Sequence, residues 1–147
     1  MRSGLAKDTK VTYAGQKTNG NLNNWIKSNF IGTSPTGSAL SLFAISSTVV
    51  YVGSVDGNIF KSTDGGANFS LMASLPIASS PGYLDLHFLD ANNGYACCSN
   101  RIYKTIDGGI SWTPVVSLGT GLFIEIHFTD ANHGWGSTSA GAILKLN

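Results

Sequence analysis

Charge is what this sequence has least of. Asp, Glu, Lys and Arg together make up 12% of its 147 residues, where about 25% is usual for soluble domains. Nine basic side chains against eight acidic ones leave a net charge of +1, with no basic stripe to neutralise a phosphate backbone, so nucleic acid is excluded as an expected partner. Nor does any apolar run approach the roughly 18 residues of a membrane span. The opening Met1 to Asp8 carries a cation but no apolar stretch behind it, so it does not read as an intact signal peptide. Helix formers are sparse: there are two methionines, and eighteen glycines with many Ser, Thr and Asn stand where Glu, Lys and Ala would be. Cysteine is scarce as well. Cys97 and Cys98 are adjacent, so on a strand they point to opposite faces and a bond between them would be strained. The expectation is one buried and one facing outward, with no metal-ligand spacing around them.

What remains is 42% hydrophobic and 10% aromatic, enough for one domain with a packed core. The Ser/Thr/Asn-rich, weakly charged surface favours an extracellular or virion-associated setting. The pattern is repetitive. Ile59-Phe60-Lys61-Ser62-Thr63-Asp64-Gly65-Gly66-Ala67-Asn68-Phe69 aligns without a gap on Ile102-Tyr103-Lys104-Thr105-Ile106-Asp107-Gly108-Gly109-Ile110-Ser111-Trp112. Upstream, Leu86 to Tyr95 aligns on Ile126 to Trp135, and Ala142 to Lys145 then falls on Arg101 to Lys104. A fainter copy near the start places Lys17, Thr18 and Trp25 on Lys61, Ser62 and Phe69, with Gly20 and Leu22 replacing the Asp and second Gly. Four units result: a degenerate repeat over 1–37, repeats over 38–80 and 81–120, and an incomplete one over 121–147.

Each full unit reads as four short strands. In the better copy they run over Leu84 to Leu89, Tyr95 to Ser99, Arg101 to Thr105 and Trp112 to Val116; in the other, over Leu40 to Ile45, Val49 to Ser54, Ile59 to Ser62 and Phe69 to Leu75. Asp56-Gly57 is the hairpin signal between the second and third of these. Four strands in about 42 residues is the period of a propeller blade, and no helical periodicity supports the solenoid alternatives. The fold class is therefore all-β, with blades of four antiparallel strands and about three blades in the chain.

Ser62-x-Asp64-x-Gly66-x-x-Phe69 and Thr105-x-Asp107-x-Gly109-x-x-Trp112 resemble the Asp-box, or BNR repeat, of sialidase-type β-propellers. The physical reason for the pattern is local. A carboxylate accepts amides of its own turn, glycine supplies positive φ, and the aromatic ring pins the loop to the blade. The resemblance implies a structural device on the outer rim between third and fourth strands, away from the axis. The longer pattern, Phe88-x-Asp90-x-x-x-Gly94-Tyr95 followed by Tyr103-Lys104 and the second box, is similar to photosystem II stability/assembly-factor-like propellers, with Phe128-x-Asp130-x-x-x-Gly134-Trp135 repeating its first half. That resemblance covers roughly residues 40 to 147 and speaks for fold, not function.

Propellers usually close with four to eight blades, and an open stack exposes apolar faces and sheet edges. Either the chain is part of a larger propeller, or it is mounted on a larger assembly, or copies complete one another. The preferred expectation is a homo-oligomer, a dimer closing a six-bladed ring in which Trp25 to Phe30 of one chain supplies the missing strand to the Ile143 to Leu146 blade of another. For chemistry the sequence offers little. The resemblance to sialidases implies three substrate-binding arginines, and only Arg2 and Arg101 exist. Asp85 and Glu125, on equivalent innermost strands, are the one pair of carboxylates that could face each other as a glycoside hydrolase requires. Asp85 and His87, like Glu125 and His127, alternate with apolar residues, so an acid and an imidazole lie two residues apart near the axis. They form a candidate ligand site, suited to Zn²⁺ or a polar ligand; the competing expectation is that they tie neighbouring blades together as buried polar groups must. Phe43 standing in for His87 in the first repeat favours the tie. His133 falls in a turn and reads as solvated. Trp112 and Trp135 read as core, while Trp25, Tyr13, Tyr83 and the loop Asn19 to Asn24 could meet a protein or a sugar. No cofactor is expected. The function expected is a noncatalytic scaffold or recognition module that self-assembles and binds a protein or glycan, with a hydrolase whose site forms on oligomerisation as the alternative, and an inactive propeller fragment as a third.

Overall fold

The computed structural model describes residues 12–14, 24–76 and 83–146. Among them every regular element is a strand. β1 (Thr12–Ala14) and β2 (Asn24–Ile26) pair with each other. A first blade is built from β4 (Ala39–Ala44), β5 (Val50–Ser54), β6 (Asn58–Ser62) and β7 (Asn68–Ser74), each antiparallel to the next. The second blade repeats this with β8 (Leu84–Phe88), β9 (Gly94–Cys98), β10 (Arg101–Thr105) and β11 (Thr113–Ser117). The third has β12 (Phe123–Asp130), β13 (His133–Thr138) and β14 (Ile143–Lys145), and β14 is its edge among the described residues. The expected strands are thus present, with ends displaced by a residue. The degenerate box around Lys17 to Leu22, the loop from Asn19, Arg2, and the side chains of Tyr13, Asn24 and Trp25 lie outside the described residues.

One element differs from expectation. β3 (Asn29–Ile31) lies parallel to β7 as a fifth strand of the first blade, so it is not held out for the third blade of another copy. The reason is aromatic packing. Phe30 meets Phe60 edge-on at 5.0 Å and stacks on Phe69 at 5.6 Å, covering the face that in the second blade is covered by the first. Thr36 fastens the same segment by donating its backbone N–H (3.0 Å) and its hydroxyl (2.7 Å) to Asp56 in the β5–β6 hairpin. Gly57 takes φ +79° there, as the hairpin signal requires.

The blades are joined by a repeated stack. Phe88 pairs across its own blade with Gly94, and its ring lies so close over that glycine that an added Cβ would sit 2.5 Å from it. The other side of the ring stacks on Tyr51 of the first blade at 4.2 Å. Phe128 does the same over Gly134 (2.4 Å for an added Cβ) and against Tyr95 of the second blade at 3.8 Å, 5° from parallel. In the first blade the same cross-strand pair is Ala44 and Val50, with the bulk exchanged between strands. Two apolar clusters follow, one around Tyr51, Phe88 and Tyr103 and one around Tyr95, Phe128 and Ile102.

This sandwiching corrects the expectation for the cysteines. Cys97 and Cys98 do point to opposite faces, but both faces of the second blade are covered, so both thiols are buried and free. Burial pushes Cys97 up to about 12 and raises Cys98 as well, which leaves neither a nucleophile near neutral pH. Trp135 is the reverse case. It occupies the position of Tyr51 (0% exposed) and Tyr95 (4%), yet is 38% exposed, because no blade follows it among the described residues. Gly94→Ala should cost about 1–3 kcal/mol, the range for overpacking a core, in urea unfolding. In a Phe88→Ala background the same change should cost close to nothing, since the clashing ring is gone; equal costs in both backgrounds would contradict this packing.

Candidate functional site

The candidate axial residues sit on β8 and β12, which lie side by side with β4. Asp85 is half-buried between them. One of its carboxylate oxygens accepts the Ser41 hydroxyl of β4 at 2.7 Å and the other accepts the Ile126 N–H of β12 at 2.9 Å. Ser41 Oγ in turn accepts the Leu86 N–H at 3.1 Å. The carboxylate therefore bridges all three innermost strands, and both of its oxygens are engaged by backbone or hydroxyl donors. Glu125, at the equivalent position on β12, is exposed. His87 and His127 come together, their rings edge-on with centroids 4.6 Å apart, and Phe43 extends the row at 5.1 Å from His87. Burial lowers the His87 pKa from its ordinary 6.5, and His127 lowers it further, while the Phe128 backbone and the Asp85 charge pull the other way. Among the described residues no group of three His, Cys, Asp or Glu is placed to hold a metal ion. His133 is the first residue of β13 and not a turn residue as expected, exposed and 2.8 Å from Asp130, its partner across the hairpin.

The two boxes join third to fourth strands, β6 to β7 and β10 to β11. Their geometry is the same. Ser62 donates to Asp64 (2.8 Å) and accepts the Gly66 N–H (2.9 Å); Asp64 accepts the Asn68 N–H (2.9 Å). Thr105 donates to Asp107 (2.8 Å) and accepts the Gly109 N–H (2.9 Å); Asp107 accepts the Ser111 N–H (2.9 Å). Bonds from Asn68 hold Asp64 at about 2, and bonds from Ser111 hold Asp107 at about 2. Such carboxylates stay charged and committed to their own turns. Trp112 seals its box by donating Nε1 to the Gly109 carbonyl at 3.0 Å. Its ring meets Phe88 edge-on at 6.0 Å, whereas Phe69 of the other box stacks on Phe30. Gly108 takes φ +71° and approaches the Ala91 carbonyl so closely that a Cβ would lie 2.9 Å from it.

Two features escaped the sequence reading. The hairpins between first and second strands are closed by Ser46, Asp90 and Asp130, each accepting amides two and three residues on; Ser46 was hidden because a hydroxyl replaces the carboxylate. The second is a groove of about 470 Å³ between the second and third blades, lined by Tyr95, Lys104, Val116, Phe128, Leu144 and Leu146. Tyr83 is exposed beside β8.

Two predictions follow from this geometry. Asp85→Ala should cost about 2–4 kcal/mol of stability, because the Ile126 amide and the Ser41 hydroxyl lose a charged acceptor; a change under 0.5 kcal/mol in chemical unfolding would contradict the bridge. A histidine whose folded pKa lies below its unfolded value contributes stability that is present above pH 6.5 and is lost as pH falls through the folded value. Midpoints of thermal unfolding should therefore fall between pH 7 and 5, and His87→Phe, which copies Phe43, should flatten that slope.

No family model matches the sequence, and no curated protein matches it. Solved structures do match in fold. YCF48 bound to D1 peptide superposes with a TM-score of 0.65 at 21% identity, over 78% of this chain and 38% of that one. YCF48 from Cyanidioschyzon merolae gives 0.59 at 16%, over 78% and 39%. The GH74 enzyme of Niastella koreensis gives 0.57 at 20%, over 66% of this chain and 16% of that one. The chain thus spans less than two fifths of the propellers it matches. Its sheets are blades of the β-propeller fold that YCF48 and the GH74 enzyme share.

Proposed function

We propose that the chain is a noncatalytic recognition module, a run of propeller blades that binds a protein partner and associates with further blades. The observation that carries this is how the recurring polar residues are used. Asp64 and Asp107 are spent inside their turns, Asp85 between strands, and Asp90 and Asp130 in hairpins, while the groove is largely apolar and bounded by residues that elsewhere pack a strand. That a propeller of this fold, YCF48, has been solved with a peptide bound supports a polypeptide as the partner. The weakly charged, Ser/Thr/Asn-rich composition supports an extracellular or virion-associated setting.

The GH74 match supports the second reading, a glycan-active site at the axis. Asp85 would be its acid or base, and its two structural hydrogen bonds argue against that role, since a proton carrier needs a free oxygen near substrate. Turnover of any aryl glycoside, abolished by Asp85→Asn, would overturn the noncatalytic reading; none is expected. Self-assembly is read from solution mass by light scattering. With Trp135, Ile143, Leu144 and Leu146 uncovered among the described residues, mass should rise with concentration above that of a 15.4 kDa chain. A constant monomer would remove the homo-oligomer from the proposal, including the six-bladed dimer.

A further inference from the structure

Packing of the blades divides the axial residues into two kinds. Asp85 is committed to structure, since its two oxygens take the Ser41 hydroxyl and the Ile126 amide. The two imidazoles are a different case. His87 on β8 and His127 on β12 hold equivalent positions in the repeat, so two blades laid side by side bring their rings to 4.6 Å between centroids, with planes 70° apart. His127 is exposed and His87 half-buried, so solvent reaches the pair. The row continues to Phe43, 5.1 Å from His87, which has no donor atom to add.

That spacing is the one a single metal ion imposes on two histidines. With Zn–N bonds of about 2.0–2.1 Å, an imidazole centroid lies about 3.2 Å from the ion, and a bond angle of roughly 90–110° sets two centroids about 4.5–5.2 Å apart. The last torsion of a histidine side chain is broad, so each ring can present either nitrogen on strands that stay fixed. Behind His87 stands the Phe128 backbone, in hydrogen-bonding contact with the ring; a backbone group in that place fixes the tautomer and orientation of a ligating histidine. Burial holds His87 towards its neutral form, the form that binds metal. Asp85 is near enough for its charge to act on the same ring, which favours a cation there while the carboxylate keeps its own bonds.

We propose that His87 and His127 form a two-histidine site for a borderline divalent transition-metal ion such as Zn²⁺ or Cu²⁺, bridging the innermost strands of the second and third blades. Imidazole suits such ions. Two protein ligands are fewer than the three of a catalytic zinc site or the four of a structural one, in keeping with the absence of a three-residue cluster among the described residues. Water completes the coordination, and the ion is exchangeable. Because it spans two blades and binds only when they are packed together, it stabilises their seam by mass action. The site stands whether or not the module recognises a polypeptide.

The chain has three histidines, His87, His127 and His133, so the test is compact. Zn²⁺ is titrated into the untagged full chain by isothermal calorimetry at neutral pH. One ion per chain is expected. Its affinity should fall at least about tenfold in His87→Phe and in His127→Phe, since losing only the partner behind a ligand costs about 10–100-fold, and should be unchanged in His133→Ala. Circular dichroism checks that the two phenylalanine variants are folded. The electron paramagnetic resonance spectrum of Cu²⁺ on the His133→Ala chain gives a second reading that needs neither of them: splitting from two imidazole nitrogens is expected, and from fewer than two overturns the site. Binding lost in His133→Ala overturns it as well, assigning the ion to the Asp130–His133 hairpin. So does binding indifferent to both phenylalanine changes, or no binding at millimolar Zn²⁺.

Discussion

The fold depends on an aromatic ring held between a glycine of its own blade and a tyrosine of the blade before. Phe88 sits over Gly94 and against Tyr51, and Phe128 over Gly134 and against Tyr95. A single blade has no way to bury that ring, because its sheet is only one layer thick and its hydrophobic side must face another layer. The stack therefore makes each blade's stability conditional on its neighbour, as in other repeat architectures. It also dictates composition. Glycine at 94 and 134 is required by contact with the ring, and the first blade, with Ala44 in place of the phenylalanine, carries Val50 where the others carry glycine.

The first and third blades differ in how their outer faces are covered among the described residues. The first blade is covered by Phe30 from its own preceding segment. The third presents Trp135 and the β14 edge uncovered among the described residues. The polar residues follow the same logic from blade to blade. Ser41 accepts an amide from the second blade, Asp85 one from the third, and Glu125 stands at the next position in that series. Charge in this protein is scarce, and nearly all of the carboxylates described are spent on turns and ties.

Much of this was legible in the sequence, and the part that was not has a common cause. Strands with period-two alternation, such as Leu84 to Phe88, and turns with fixed chemistry, such as Asp56-Gly57 and the two boxes, are set by residues within a few positions of each other. The location of Trp135, the burial of both cysteines and the parallel addition of β3 to β7 are set by which blade lies alongside, and alignment of repeats carries no information about that. The candidate site divides the same way. The edge-on contact of His87 and His127 and the engagement of Asp85 follow from three strands meeting, which the alternation on β8 and β12 foreshadowed but could not choose between. The groove between the second and third blades follows from how those two blades meet, which no alignment of repeats describes.

The central claim is that each blade's stability comes from the neighbour it is packed against, and native-state hydrogen exchange of the chain reads it most directly, since amide protection reports local opening free energy. Amides of β9 and β10, paired on both sides and buried between blades, are expected to exchange slowest, and those of β14 at least about a hundredfold faster, a difference of roughly 3 kcal/mol in opening free energy. Protection of β14 equal to that of β10, at a concentration where the chain is monomeric, would contradict the account.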